Sequence, residues 1–190
     1  MMPDSPLSAD GGRRINVIQG HHYVDNDPTT VLTTILGSCI AACLWDPVAL
    51  VGGMNHFLLP GSNDTRMQST KTDAQRYGVN LMELLLNELF RQGAVKSRLK
   101  AKLFGGAAIV KGLTDIGALN AQFAENFLKE EGIELIGGSV GGTYGRKVQF
   151  WPVSGRARQA LMTSGIESII HAETTRPFII QKTAGQVELF

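Results

Sequence analysis

Apolar residues recur with a helical period in two stretches of the chain. The first, residues 72–93, has the sequence TDAQRYGVNLMELLLNELFRQG and closes with Gly93. The second, residues 115–132, has the sequence DIGALNAQFAENFLKEEG and closes with Gly132. Apolar positions three and four apart form one face of a helix, and glycine after the last of them is a common helix end. The pattern therefore predicts two principal helices.

Shorter apolar runs bounded by glycine, proline or polar residues predict strands. These runs cover residues 15–20, 31–37, 36–60 (two strands around one turn), 99–106, 133–142, 145–153 and 186–190. Residues 21–30 are predicted to form a loop and residues 155–164 a helical segment. Because strands outnumber helices without regular alternation, the predicted class is α/β (α+β), a mixed, largely antiparallel sheet with two principal helices.

Length and composition set the domain organisation. The chain has 190 residues, of which 43% are hydrophobic, and this content can bury one sizeable core. Residues 1–14 are polar and rich in glycine, proline and serine, so we expect a disordered N-terminal arm. Residues 15–190 are expected to form a single domain.

Charge, hydropathy and cysteine content narrow the classes of partner and location. With 18% charged residues and a formal net charge of +1, the chain has no broad electrostatic attraction for nucleic acid. No apolar run approaches the roughly 20 residues that span a bilayer, so direct membrane insertion is not expected. Cys39 and Cys43 would lie roughly 13 Å apart along a strand, too far for a disulfide. Reduced cysteines favour a cytoplasmic location.

Neither a metal nor an organic cofactor is expected from the motifs. The pair His21-His22 lacks a third and a fourth ligand at useful spacing. Residues 137–147, GGSVGGTYGRK, combine glycines with basic residues but lack the Gly-Lys-Ser/Thr ending of a phosphate-binding loop. A glycine-rich connection between strands is the preferred interpretation of this stretch.

Residues 36–60, LGSCIAACLWDPVALVGGMNHFLLP, place a thiol and an imidazole on the two strands of one predicted hairpin. The Pro-Val dipeptide is unsuitable for a two-residue turn, so a four-residue turn over residues 46–49 is favoured. Cys39 then faces His56 directly, and facing residues in an antiparallel pair have Cβ atoms roughly 4.5–5.5 Å apart. The predicted Cys–His pair depends on that turn.

A thiolate beside an imidazolium is nucleophilic near neutral pH, and this pair suits acyl chemistry. The structural alternative is that Cys39 is a small core residue and His56 a hydrogen-bonded strand residue. Cys43 would face Gly52 in the same register, without a base, and is assigned to the core. Ser38 is a second candidate nucleophile, but its side chain would point to the opposite face of the strand.

Four segments together resemble one protein family. They are TTILGSCIAACLWDPVALVGGMNHFLLP (residues 33–60), RYGVNLMELLLNELFRQGA (76–94), AKLFGGAAI (101–109) and GGTYGRKVQF (141–150). In this order they resemble the CheD-type chemoreceptor glutamine deamidases of bacterial chemotaxis. Because several long segments agree over most of the chain, the resemblance is specific.

The resemblance implies a hydrolase that converts particular glutamine side chains of methyl-accepting chemotaxis receptors to glutamate. It implies that Cys39 is the nucleophile and that His56 is its base. A threonine six residues before the cysteine completes the site in this family; here that residue is Thr33, with Thr34 beside it. Thr33 would fix the orientation of the imidazole through its hydroxyl or its carbonyl.

The same resemblance implies a fold and a set of partners. The family fold is an α/β sandwich similar to the catalytic domains of certain deamidating toxins. In the implied reaction, backbone N–H groups at Gly37 and Ser38 are oxyanion-hole candidates. The implied substrate is the chemotaxis receptor, and a CheC-type phosphatase is a candidate docking partner. The alternative function is a docking module for that phosphatase with little catalysis.

Overall fold

The structure, a computed structural model, describes residues 12–59, 71–109 and 116–163, together with positions 165 and 171. These residues form two α-helices, α1 (Lys71–Arg91) and α2 (Ile116–Glu130), and a short 3-10 turn at Lys96–Arg98. They also form nine strands: β1 (Arg14–Asn16), β2 (His21–Asp25), β3 (Val31–Leu36), β4 (Ile40–Asp46), β5 (Val51–His56), β6 (Lys100–Gly105), β7 (Glu134–Val140), β8 (Gly145–Trp151) and β9 (Arg156–Met162).

The strands belong to two sheets. One sheet has five strands in the order β2-β5-β4-β6-β7, and the other has four in the order β1-β3-β8-β9. Among the described strands, β1 with β3 and β6 with β7 are parallel pairs, while the other neighbouring pairs are antiparallel. The prediction of a mixed, largely antiparallel α+β fold with two principal helices is confirmed, but the division into two sheets is a finding of the structure.

The two helices cover one face of the five-stranded sheet. Leu85 and Leu89 of α1 and Leu128 of α2 are buried in one apolar cluster with Leu103 of β6. Each fully buried leucine side chain contributes about 2 kcal/mol relative to an exposed one. This apolar face explains why both segments are helices, since helical spacing aligns their apolar residues along the sheet.

The opposite face of the five-stranded sheet packs against the four-stranded sheet. Leu32 of β3, Met54 of β5 and Phe150 of β8 are fully buried in this second cluster. The layers are therefore a four-stranded sheet, a five-stranded sheet and a pair of helices, an α/β sandwich. Across the described residues, no helix combines the length and the apolar composition that a membrane crossing needs.

Both helices end where the glycines predicted an end. Gly93 and Gly132 have φ values of 96° and 68°, a left-handed conformation that a glycine adopts without steric cost. Lys71–Arg91 and Ile116–Glu130 are each followed by this glycine after one intervening residue. The predicted helices are thus confirmed to within two residues at their ends.

Three of the expected boundaries differ from the structure. Arg14, assigned to the disordered arm, begins β1 and lies opposite Val31 of β3. Residues 21–25 form β2, although the sequence predicts a loop, and residues 156–162 form β9 instead of a helical segment. Residues 1–11 of the predicted arm and the predicted strand at 186–190 lie outside the described residues.

The hairpin of β4 and β5 has a different register from the predicted one. Asp46 lies opposite Val51, so the four-residue turn covers residues 47–50 and not 46–49. Moving the turn by one residue shifts the partner of every strand residue by two positions. Cys43 therefore lies opposite Met54 and not opposite Gly52.

The side chain of Asp46 explains where the turn begins. Its Oδ1 accepts hydrogen bonds from the backbone N–H of Val48 at 2.9 Å and of Ala49 at 3.0 Å. Aspartate is favoured at the first position of a turn because its carboxylate binds these N–H groups. Asp46 therefore fixes the start of the turn directly after it, and the turn closes at Leu50, whose φ is 55°.

Candidate active site

Cys39 lies in the connection that leaves the four-stranded sheet at Leu36 and enters the five-stranded sheet at Ile40. Cys39 therefore lies in a turn between two strands, whereas the sequence had indicated that it lies within a strand. The residue is fully buried, with 0% exposure, in the cluster between the two sheets. This position puts the candidate nucleophile at the junction of the two layers.

His56 is the last residue of β5 and reaches the same space between the sheets. Ile40 bridges to Phe57, so the register places Ala41 opposite His56 and Cys39 two residues further along. The prediction that Cys39 and His56 face each other directly is therefore wrong. Both side chains nevertheless lie on the same side of the five-stranded sheet, because Cys39 belongs to the cluster between the sheets and His56 contacts β3.

The orientation of the imidazole is set by Thr34 of β3. The Thr34 hydroxyl donates to the carbonyl oxygen of Val17 at 2.8 Å and lies 2.9 Å from Nδ1 of His56. Nδ1 is also 3.3 Å from the Val17 carbonyl oxygen, which can only accept a hydrogen bond. Since the single hydroxyl proton goes to Val17, Nδ1 is the donor and carries the proton. The lone pair of the neutral ring is then on Nε2, the atom that can take a proton from a thiol.

The role that the resemblance implies for Thr33 as the orienting residue stays a prediction, and the structure shows other contacts for Thr33. Its hydroxyl donates to the Ile15 carbonyl oxygen at 3.4 Å, and its carbonyl oxygen accepts from the Val17 N–H at 2.8 Å. Successive residues of a strand point to opposite faces, so only one of two neighbouring threonines can face His56. That residue is Thr34, which is buried at 2% exposure.

We expect Thr34→Val to lower the turnover of the site by about tenfold to a hundredfold, because a hydrogen bond to a group that becomes charged is lost. Thr33→Val removes the neighbouring hydroxyl and should change turnover by no more than about threefold. Initial rates of ammonia release from the receptor substrate that the resemblance implies measure both effects. A larger loss of turnover in Thr33→Val than in Thr34→Val would support Thr33, the residue that the resemblance implies.

The segment between β1 and β2 lies against both candidate catalytic residues. Oε1 of Gln19 is 3.8 Å from Sγ of Cys39, and the Gly20 N–H donates to the His56 carbonyl oxygen at 2.7 Å. Tyr77 of α1 is near this point: the pKa of its phenol is raised by burial and, to a smaller extent, by the charge of Cys39. Gln19 therefore contacts the thiol, and the Cys39 charge acts on the phenol of Tyr77, although the sequence alone singled out neither residue.

The turn at residues 37–39, called here the cysteine turn, has all three of its carbonyl oxygens in hydrogen bonds. The oxygens of Gly37 and Cys39 accept from backbone N–H groups of residues 107 and 106, at 2.9 Å and 2.8 Å. The oxygen of Ser38 accepts from the side chain of Asn120 in α2 at 2.9 Å. The turn that contains the oxyanion-hole candidates Gly37 and Ser38 is thus fixed at each of its peptide units.

Cys43 has the properties of a core residue, as predicted. It is fully buried in the middle of β4, and burial raises the pKa of its thiol. A protonated buried thiol is a poor nucleophile at neutral pH. Among the described residues, no group of three or more histidine, cysteine, aspartate or glutamate side chains could hold a metal ion.

The fold and the site together define a class: an α/β sandwich with a cysteine and a histidine on one side of a sheet junction. This chain belongs to the CheD family, described as CheD chemotactic sensory transduction, whose family model matches residues 58–160. That match begins just after His56. The site itself lies in the part of the chain that full-length relatives cover.

Curated relatives match nearly the whole chain. A protein of Acidiphilium cryptum is 58% identical over 192 aligned residues, covering 100% of both chains. A protein of Rhizobium johnstonii is 53% identical, covering 93% of this chain and 95% of its own. A protein of Agrobacterium fabrum is 52% identical, covering 94% of this chain and 97% of its own. Each is named a probable chemoreceptor glutamine deamidase CheD.

One similar solved structure is a Neisseria meningitidis protein of the family named DUF152. It aligns with a TM-score of 0.45 and 10% identity over 70% of this chain and 65% of that chain. A likeness at this level supports no inference about the site.

Proposed function

We propose that this chain is a cysteine-dependent deamidase that converts glutamine side chains of methyl-accepting chemotaxis receptors to glutamate with release of ammonia. The observation that carries the substrate class is the full-length relation to proteins named as chemoreceptor glutamine deamidases, at up to 58% identity. The hydrogen bonds of His56 support the chemistry, because they engage Nδ1 and leave Nε2 as the basic atom of the ring.

The first half of the reaction forms a thioester. The Cys39 thiolate attacks the carboxamide carbon of the substrate glutamine, and the carbonyl electron pair moves onto oxygen. Backbone N–H groups of the turn at residues 37–39 stabilise the oxyanion. His56, carrying the proton taken from the thiol, donates it to the departing nitrogen as the C–N bond breaks, and ammonia leaves.

The second half of the reaction hydrolyses that thioester. His56 takes a proton from a water molecule, and the resulting hydroxide attacks the thioester carbon. The C–S bond then breaks, the Cys39 sulfur leaves with the electron pair, and the product is a glutamate side chain. We place the enzyme in the cytoplasm, because this cycle requires Cys39 to remain a reduced thiol.

A second candidate function is docking to a CheC-type phosphatase with little catalysis. The orientation of His56 by Thr34 favours the enzyme, since a docking surface does not require a buried imidazole with a fixed tautomer. Docking is compatible with catalysis and can occur on the same protein. The two functions are distinguished by whether the wild-type protein deamidates receptor glutamine at a measurable rate.

We expect the protein to deamidate a receptor cytoplasmic fragment and to leave free glutamine unchanged. The sequence near the Cys–His pair has no obvious charged residues that would bind the α-carboxylate and the α-amino group of a free amino acid. Affinity for the substrate must therefore come from contacts with a protein surface. Peptide mass spectrometry of the fragment should show glutamine residues replaced by glutamate. Ammonia release from free glutamine at a rate comparable to that from receptor would contradict the substrate class, and no release from receptor would favour the docking function.

A further inference from the structure

Asn120 of α2 connects the two segments that carry Cys39 and His56. Its side chain has 0% exposure. Nδ2 donates to the carbonyl oxygen of Ser38 at 2.9 Å, and Oδ1 accepts from the N–H of Leu59 at 2.9 Å. Ser38 directly precedes the cysteine, and Leu59 follows the histidine by three residues. A single buried amide therefore bridges the flanks of both candidate catalytic residues.

The bond to Ser38 fixes the direction of the Cys39 N–H. A peptide unit is planar and trans, so its carbonyl and its N–H point in opposite directions within one plane. The Ser38 carbonyl and the Cys39 N–H belong to the same unit. Because Asn120 holds the carbonyl at 2.9 Å, it also holds the N–H that can donate to an oxyanion formed next to the sulfur.

Asn120 provides the one hydrogen bond among those described for the cysteine turn carbonyls that a side-chain substitution can remove. The carbonyl oxygens of Gly37 and Cys39 are bound by backbone N–H groups of residues 107 and 106, and backbone donors are not removed by exchanging a side chain. The Ser38 carbonyl is bound by a side-chain amide instead. The peptide unit with the Cys39 N–H therefore depends on a residue that lies 82 positions away in the sequence.

The close approach of α2 puts Asn120 in this position. A Cβ atom at Gly117 would lie 2.5 Å from the carbonyl oxygen of Gly106 and 2.7 Å from that of Ala107. Only a glycine allows the helix to come so near to the segment that binds the cysteine turn. Asn120 is three residues further on and lies on the same face of the helix, so the contact at Gly117 directs its amide toward Ser38.

We propose that Asn120 is a positioning residue for the deamidation, which fixes the Cys39 N–H for the oxyanion and ties that turn to the segment after His56. The inference rests on the proposed function. Asn120 does not touch the reacting atoms; it acts through the peptide unit between Ser38 and Cys39. Its loss should therefore affect the stabilisation of the transition state more than substrate binding or the reactivity of the thiol.

The test uses Asn120→Ala and Asn120→Asp in the full-length protein with a receptor cytoplasmic fragment as substrate. We expect kcat to fall by about tenfold to a hundredfold, because small displacements of aligned groups have effects of this size. KM should stay within about threefold of wild type, since substrate contacts are unchanged. Asn120→Asp keeps an acceptor for the Leu59 N–H but presents a carboxylate oxygen to the Ser38 carbonyl.

Alkylation of Cys39 by iodoacetamide is the second measurement. Displacement of iodide by the thiolate develops no oxyanion, so its rate should stay within about threefold of wild type in both Asn120 variants. Cys43 contributes little at neutral pH, because burial raises the pKa of its thiol. A purely structural role of Asn120 would lower alkylation and turnover together or leave both unchanged.

Asn55→Ala is the matched control. Asn55 of β5 is buried at 1% exposure, accepts from the Ala42 N–H at 3.0 Å and donates to the Leu81 carbonyl oxygen at 3.3 Å. It thus resembles Asn120 in burial and in hydrogen bonding but binds no residue of the cysteine turn. We expect a comparable loss of thermal stability with kcat within about threefold of wild type, measured where all variants are folded.

Several outcomes would overturn the positioning role. They are an unchanged kcat in a folded Asn120 variant, a loss of alkylation that matches the loss of kcat, and an equal loss of kcat in Asn55→Ala. Failure of both Asn120 variants to fold, with Asn55→Ala folded, would mark Asn120 as structural only. Wild-type protein without turnover would refute the proposed function and this role with it, whereas wild-type turnover with unaffected variants would refute this role alone.

Discussion

Cys39→Ala is expected to abolish the conversion of receptor glutamine to glutamate while the protein stays folded. The substitution removes one buried sulfur atom from the cluster between the sheets. Losing a small buried group typically costs on the order of 1 kcal/mol of unfolding free energy, which a domain of this size tolerates. Loss of the nucleophile, in contrast, removes the covalent route entirely, so turnover should fall by at least about a thousandfold.

Cys43→Ala is the control for this experiment. Cys43 is buried in the same cluster, at 0% exposure, and loses the same atom, so the packing costs should be similar. Turnover should remain close to wild type, because burial raises the pKa of the Cys43 thiol and keeps it unreactive. Mass spectrometry of the receptor fragment and thermal unfolding of both variants provide the comparison. Deamidation by Cys39→Ala at the wild-type rate would show that the nucleophile is misassigned.

The helices could be predicted from sequence because their signals are local. The apolar face of α1 repeats within each turn of the helix, and Gly93 adopts the left-handed conformation that ends it. The segment that forms β9 shows where such local signals fail. Its sequence, RARQALM, consists of good helix formers, but it pairs with β8 along its whole length. Pairing with a strand outside the segment overrides intrinsic propensity, and no local pattern reveals it.

The candidate site shows a similar limit. The sequence indicates that Cys39 and His56 approach each other, because a hairpin must bring its two strands together. Their offset depends on the exact turn, and that turn is set by the carboxylate of Asp46, which binds the N–H groups at residues 48 and 49. The choice between Thr33 and Thr34 depends on which side of β3 faces His56, and this follows from packing between the two sheets.

Asn120 could have been noticed in the sequence as a polar residue on the apolar side of a predicted helix. A buried polar side chain needs hydrogen-bond partners, so such a residue indicates a specific contact. The partners themselves, Ser38 and Leu59, are distant in the chain and emerge only from the packing of α2 on the five-stranded sheet. The identity of a bridging residue is thus visible locally, whereas its function depends on tertiary structure.

Gly105→Ala is expected to inactivate the enzyme and to lower its thermal stability. Gly105 ends β6 with a φ of 114°, and a Cβ atom there would lie 2.0 Å from the carbonyl oxygen of Cys39. That oxygen accepts from the Gly106 N–H at 2.8 Å, so it cannot move away without breaking a bond that holds the cysteine turn. Relief of this clash must move the Cys39 backbone, and a displacement of the nucleophile by about 1 Å should lower kcat by at least about a hundredfold.

Gly93→Ala is the control that distinguishes the two effects expected in Gly105→Ala, the steric clash of the new Cβ atom and the strain of a positive φ. Gly93 also has a positive φ, 96°, but a Cβ atom there would meet nothing within 4 Å. Its substitution should cost about 1–2 kcal/mol of unfolding free energy through φ alone and leave kcat within about threefold of wild type. Rates with the receptor fragment and thermal unfolding of both variants decide the matter. If Gly105→Ala retains wild-type kcat, or if both variants lose activity in proportion to their stability, then contact between the residue-105 position and the Cys39 carbonyl does not control the nucleophile.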